Sequence, residues 1–212
     1  MLRIKRAGVA LLLTLVLAGS VISCAAESKV PVETERRVRE EGAAASRALM
    51  GMLQTNLLAS IEEGGPVHAV EFCAGRALTL TDSVARSLGK GISLKRVSDH
   101  HRNPVNAPDA AEMQALRHFE DALAESGSLP EDWVQQTQGG ELRYYRPLVI
   151  APPCLSCHGD PEEMDPAVVE AIRELYPEDA ATGYDVGDLR GLIRVGVSQD
   201  RIERAGGGKA IG

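Results

Sequence analysis

Cys154-Leu155-Ser156-Cys157-His158 is the stretch of this 212-residue chain whose residue types and spacing point most directly to chemistry. Two thiols three positions apart, followed at once by an imidazole, form the C-x-x-C-H signature of c-type haem attachment. The spacing has a mechanical reason. The thiols can add to the two haem vinyl groups while the adjacent His158 sits under the iron as an axial ligand. Other uses of the pattern fit less well. A disulfide oxidoreductase needs C-x-x-C at a helix N-terminus beside a βαβ unit, and no such pattern surrounds it. A disulfide between Cys154 and Cys157 would close a short, strained loop, and zinc would want a second cluster of ligands that is not present.

The N-terminus speaks to compartment. Residues 1–6 carry Arg3, Lys5 and Arg6 with no acid, and residues 7–22 are apolar apart from Gly8, Thr14, Gly19 and Ser20. This is a signal-peptide layout, and it is marginal for spanning, which takes about 20 apolar residues. It closes on Val21-Ile22-Ser23-Cys24, which resembles a bacterial lipobox and predicts cleavage after Ser23 with lipidation of Cys24. Acyl chains at about 0.8 kcal/mol per buried CH₂ would anchor the protein to a membrane. Ala25, in place of Asp, leans towards the outer membrane where the cell has one. Covalent haem attachment requires export, so the two signals agree.

With Cys24 lipidated and two cysteines on haem, Cys73 has no partner. Two readings stay open on the residues alone: a small buried side chain on the apolar stripe of its helix, or a distal ligand to iron. Thiolate ligation would bring negative charge to the metal and lower its reduction potential. Among rivals, His68 lies about 140° away around the helix, and His118 points away from its neighbours Leu116 and Phe119 and is expected to be exposed. His100 and His101 lie in a loop that could reach the iron, whereas Met113 reads as core filler.

The elements that must position these groups follow from pattern. Hydrophobic residues make up 44% of the chain and charged ones 25%, which suits one domain with a real core rather than a disordered chain. A net charge of -7 leaves no excess of cations for phosphates, so nucleic-acid binding is not expected. The seven aromatics (Phe 2, Trp 1, Tyr 4) are few for a core of this size, leaving space for another large flat body. Residues 33–63 favour helix, with Leu49, Leu53, Leu57 and Ile61 on one face; Gly64-Gly65 ends it, and Pro66 starts a second helix. That helix carries Val70, Cys73, Ala77, Leu80, Val84 and Leu88, with Gly89 as C-cap. Residues 92–97 read as a short strand. Asp109 with Glu112 gives a capping-box start to a helix whose stripe is Met113, Leu116, Phe119 and Leu123. Residues 141–150 read as a strand whose apolar face is interrupted by Arg146. A helix follows over 166–175, and a last strand over 192–198. Helices first and separated strands later predict α+β with a mainly antiparallel sheet.

Five segments in order carry a family resemblance: Glu71-Phe72-Cys73, then Arg102-Asn103-Pro104-Val105-Asn106-Ala107-Pro108-Asp109, then Tyr145-Arg146-Pro147-Leu148, then residues 154–159, then Gly183-Tyr184-Asp185-Val186-Gly187-Asp188-Leu189-Arg190-Gly191. The set resembles a family of exported single-haem c-type domains with a PAS-like fold, first catalogued as a domain of unknown function. The resemblance implies one covalent haem between sheet and helices, His158 and Cys73 as axial ligands, and redox or small-gas sensing rather than turnover. The resemblance covers about residues 35–198, and with the N-terminal signal and the polar ends it divides the chain into a lipoprotein signal peptide (1–23), a tether (24–34), a PAS-like haem domain (35–200) with long N-terminal helices around the haem, and a flexible tail (201–212). Arg102 and Arg146 then read either as partners of the haem propionates or as solvated charges. Asn103 and Asn106 read as loop formers.

Three functions are compatible with such a site. A membrane-tethered sensor module on the periplasmic side would pass its signal to a redox or signalling partner, since no output segment is recognisable in this chain. A monohaem electron carrier would need a stable six-coordinate site. A haem enzyme such as a peroxidase would need an open sixth position with distal acid-base groups, for which His100 or His101 could serve, and it ranks last.

Overall fold

A computed structural model describes residues 30–206. The signal peptide and Cys24 therefore lie outside the described residues, as does the end of the tail. Helix α1 (Val32–Ser87) is followed by β1 (Ile92–Val97), α2 (Ala110–Ser126), β2 (Trp133–Gln136), β3 (Leu142–Val149), the one-turn α3 (Leu155–His158), α4 (Pro166–Leu175), β4 (Leu189–Val197) and α5 (Gln199–Gly206). The four strands form one antiparallel sheet in the order β1-β4-β3-β2. The last strand thus pairs on both sides.

Alternation along the strands divides the core in two. Leu142 and Tyr144 of β3 join Ile193, Val195 and Val197 of β4 under Val38, Ala45 and Leu49 of α1. On the opposite face, Tyr145, Leu192 and Val97 pack against Ala115, Leu116 and Phe119 of α2. Every strand except the four-residue β2 was legible in the sequence. β2 escaped because Trp133-Val134-Gln135-Gln136 has neither length nor alternation.

The break expected at Gly64-Gly65 is present: α1 is interrupted at Gly65 (φ 77°, ψ -174°), directly before Pro66. Such a φ suits glycine, and proline tolerates the first turn that follows. The first stretch packs on the sheet, and its buried stripe is Val38, Gly42, Ala45 and Leu49. Leu57 is half-buried and Ile61 is 37% exposed, so the stripe expected to continue through them leaves the core. The second stretch buries Val70 against Met164, Val168 and Ile172 of the α4 region and returns to the sheet at Val84. The box at α2 also forms, with Glu112 N–H donating to Asp109 Oδ1 (2.7 Å) and Asp109 N–H to Glu112 Oε2 (2.9 Å). Glu112 is almost fully buried and accepts from Lys95 Nζ (2.6 Å) and Arg194 Nε (3.2 Å), so its charge is compensated twice.

Two expected boundaries shift. Helix α1 begins at Val32, inside the segment read as tether. Residues 201–206, read as flexible tail, belong to α5, where Ile202 is buried in the α1–sheet core and Arg201 donates to Glu41 (2.9 Å) and the Leu88 carbonyl (2.9 Å). One apolar side chain and one forked cation are enough to pin a short helix. Among the described residues, no helix is long and apolar enough to cross a membrane.

Gly42 makes a close approach that admits no side chain. A Cβ there would lie 2.2 Å from Cγ of the fully buried Tyr144. Gly42→Ala is expected to lower unfolding stability by about 2 kcal/mol in denaturant titrations, the usual cost of overpacking a closed core. An unchanged midpoint would mean that α1 does not press on Tyr144 in this way.

Candidate functional site

The C-x-x-C-H turn is built by two prolines and a short hydrogen-bonded frame. Pro152 and Pro153 end the chain's run out of β3 and open a 3-10 turn, which passes into α3. Ala151 N–H points at Cys154 Sγ (3.4 Å), and Ser156 Oγ donates to the Pro153 carbonyl (2.9 Å). Cys73, Cys154 and Cys157 are all free thiols, each half-buried. Cys157 packs against the cluster around Val70, which brings α3 beneath the second stretch of α1, the stretch that carries Cys73.

His158 is held in one tautomer. Its Nδ1 lies 2.7 Å from the Ala181 carbonyl, which can only accept, so Nδ1 carries the proton and Nε2 keeps its lone pair. Burial, with Arg102 and Arg190 nearby, pushes the imidazole down to about 3, so it is neutral at any ordinary pH. A neutral imidazole with one nitrogen anchored and the other free is what an axial metal ligand requires. The edge of the Tyr184 ring stands against it, with centroids 6.4 Å apart.

Residues far apart in sequence lock this turn. Arg102 donates to the Cys157 carbonyl (2.7 Å) and the Ala181 carbonyl (3.2 Å), and forms a two-point pair with Asp179 (2.9 and 3.2 Å). Both members are nearly buried. Gly183 and Tyr184 N–H groups donate to the carbonyls of Gly159 (2.8 Å) and His158 (3.0 Å). Arg190 donates to Ser98 Oγ (2.8 Å) and the His100 carbonyl (3.1 Å), under the Tyr184 ring. An open cleft of about 480 Å³ runs along the turn, lined by Pro66, Leu155, Met164 and Tyr184 among others. Arg102 therefore braces the C-x-x-C-H turn, where sequence had offered a choice between propionate partner and solvated charge.

Cys73 faces this turn from α1. Burial pushes its thiol up, opposed by Arg96 and Arg102. It is a neutral thiol on its own, and binding to a metal would release its proton. The rivals weighed in sequence stand elsewhere. His68 lies beside Glu63 and Glu71 (3.8 Å each), and His100 is exposed with its ring edge towards Tyr184. His101 Nδ1 is 3.1 Å from the Asp99 carbonyl. His118, expected to be exposed, is half-buried and stacked on Trp133 at 4.6 Å, because the unrecognised β2 covers it. Among the described residues no group of three His, Cys, Asp or Glu side chains could hold a bare metal ion.

Sequence reasoning missed Arg96. Its register partner across the sheet is Ile193, which points towards α1, so Arg96 shares that face with Ile92 and Leu94. Its Nε is buried and has no hydrogen-bond partner. A buried donor left unpaired costs about 1–3 kcal/mol. A charge on the apolar face of a predicted strand was the available signal, and it was noticed only at Arg146.

A family model described as Tll0287-like matches residues 25–198. This chain belongs to that family. A solved structure entitled "Crystal structure of the cyanobacterial heme-protein Tll0287" superimposes with a TM-score of 0.54 at 24% identity, covering 80% of this chain and 98% of that one. That likeness supports the α+β fold with its antiparallel sheet and long N-terminal helix. No curated protein matches the chain. The Tll0287-like segment spans all five motifs quoted from the sequence. Residues from three of them, Arg102, 154–159 and 183–190, meet at the C-x-x-C-H turn, and Cys73 from a fourth faces it.

The donor set fits a covalently held haem: two free thiols on one turn, an imidazole with Nε2 presented, a third thiol opposite, and an uncompensated buried guanidinium nearby.

Proposed function

We propose that this chain carries one c-type haem and serves as a redox or small-gas sensor module, lipid-anchored through Cys24 on the periplasmic side of a membrane. The observation that carries the reading is the pairing of His158, its Nδ1–H tied to the Ala181 carbonyl, with Cys73 on the element that packs over it. Membership of the Tll0287-like family, with a structural relative entitled a heme-protein, supports the cofactor. Cys154 and Cys157 would form the two thioether links. His158 and Cys73 would be the axial ligands. When bound, the haem supplies a one-electron couple and an iron that can exchange a ligand.

The protein's own part is positional. The Ala181 carbonyl fixes the imidazole's orientation and raises its basicity, while Arg102 and Asp179 hold the turn that carries it. Cys73, as thiolate, would favour ferric iron and lower the potential. The turn with His158 is braced by a network, whereas the Cys73 thiol makes no hydrogen bond among the described residues, although its stretch of α1 is tied to the sheet by Val84. A ligand braced by hydrogen bonds opposite a thiol held by packing alone suits exchange at the Cys73 side better than the low-reorganisation site of an electron carrier. The signal would pass to a protein partner at the membrane, and the outer membrane is favoured where there is one.

Optical titration of the haem-loaded protein with CO or NO tests this. The reduced form is expected to bind gas with loss of the thiolate spectrum. No binding in the reduced state would sink gas sensing, and an unchanged ligand set in both redox states would leave the electron carrier as the better reading.

A further inference from the structure

We propose that Arg96 of β1 and Arg146 of β3 form a two-arginine site for the pair of haem propionate carboxylates. The assignment rests on the haem reading above and goes beyond it, since Arg96 belongs to none of the sequence motifs.

Register places both side chains. Arg96 and Arg146 are each the direct partner of Ile193 on β4, one on either side. Cross-strand partners share a face, so the three stand in a row on the α1 side of the sheet, with the two arginines about 10 Å apart by strand spacing. Other arginines on these strands have partners: Arg143 pairs with Asp109 (2.8 Å) and Glu141 (2.7 Å), Arg194 with Glu112 (3.2 Å), and Arg190 donates to Ser98 Oγ (2.8 Å) and the His100 carbonyl (3.1 Å). Beside the attachment turn, Arg102 is spent on Asp179 (2.9 Å). Arg96 and Arg146, both half-buried, have neither ion pair nor hydrogen bond among the described residues, and the Arg96 Nε is fully out of solvent.

Two unpaired cations on one buried face call for anions, because an uncompensated charge is costly out of water. A haem brings two carboxylates on flexible arms at one edge of the ring. Guanidinium matches carboxylate in geometry and stays charged when buried, which lysine does less well. Arg96 also lies by Cys73 and Tyr176, placing its head in the same space as the proposed distal ligand. A thiolate is a weaker claimant: bound to ferric iron its charge is already met, whereas the propionates have no other arginine to turn to on this face.

Resonance Raman and EPR spectra of haem-loaded full-length Arg96→Gln, Arg146→Gln and Arg96→Lys test the assignment. Each Gln variant is expected to shift one propionate-bending band and leave the axial-ligand EPR signature unchanged. The ferric-to-ferrous balance should shift about threefold to tenfold towards ferric, at most about 59 mV for one electron. Arg96→Lys should fall between wild type and Arg96→Gln in both readouts. Should Arg96→Gln fail to fold, Arg146→Gln and Arg96→Lys carry the same expectation. Propionate bands unmoved in the variants that fold would overturn the proposal. So would an altered axial signature with unmoved bands, which would assign Arg96 to Cys73 instead. Wild-type protein without covalent haem would strike the haem reading itself, and the assignment with it.

Discussion

Cys154→Ala combined with Cys157→Ala should leave a protein that loses all haem staining on denaturing electrophoresis, while wild type keeps it. Thioether bonds survive denaturation, whereas axial ligation and packing do not, so the readout is close to all or none. The fold should persist, because neither thiol belongs to the α1–sheet or α2–sheet cores. Circular dichroism of the double variant would therefore retain wild-type helix and strand content. Single variants should keep one link and a shifted optical band. Haem that stays with the doubly substituted chain after denaturation would refute covalent attachment at this turn.

Cys73→Ala is the second large effect. Removing the Cys73 sulfur should convert the ferric spectrum from thiolate-ligated low spin to a form without sulfur, and open the position to CO in the reduced state. Loss of an anionic ligand should raise the midpoint potential by at least two factors of ten in the redox equilibrium, roughly 120 mV for one electron. Cys73 is half-buried at a helix surface, so the truncation should cost little stability. Covalent haem content should be preserved, which separates loss of ligation from loss of attachment. Identical EPR spectra for the variant and wild type in both redox states would exclude Cys73 from the iron.

Much of this was readable in the residues. The C-x-x-C-H turn, the helix break before Pro66, the capping box at Asp109 and the face alternation of β3 and β4 are local signals, set by backbone chemistry within a few positions. What escaped was tertiary. Asp179 carries no pattern of its own, yet it anchors Arg102 across the fold. Ala181 acts only through its carbonyl, which no side-chain reading can reveal. Leu57 and Ile61 kept helical period but ran past the end of the sheet, so period alone did not bury them. Arg96 was visible in principle, as a charge on the inner face of a strand, by the same reasoning that flagged Arg146.

The position of β4 bears on the order of assembly. It is last in the chain among the strands and lies between β1 and β3. A chain delivered N-terminus first thus presents Cys154 and Cys157 while the sheet still has a gap, with β1 unable to reach β3. Pairing between such distant segments is slow, because loop closure must be met before any contact rewards it. During that interval the two thiols would remain accessible for the proposed haem attachment, and the arrival of β4 would close the sheet only after that step.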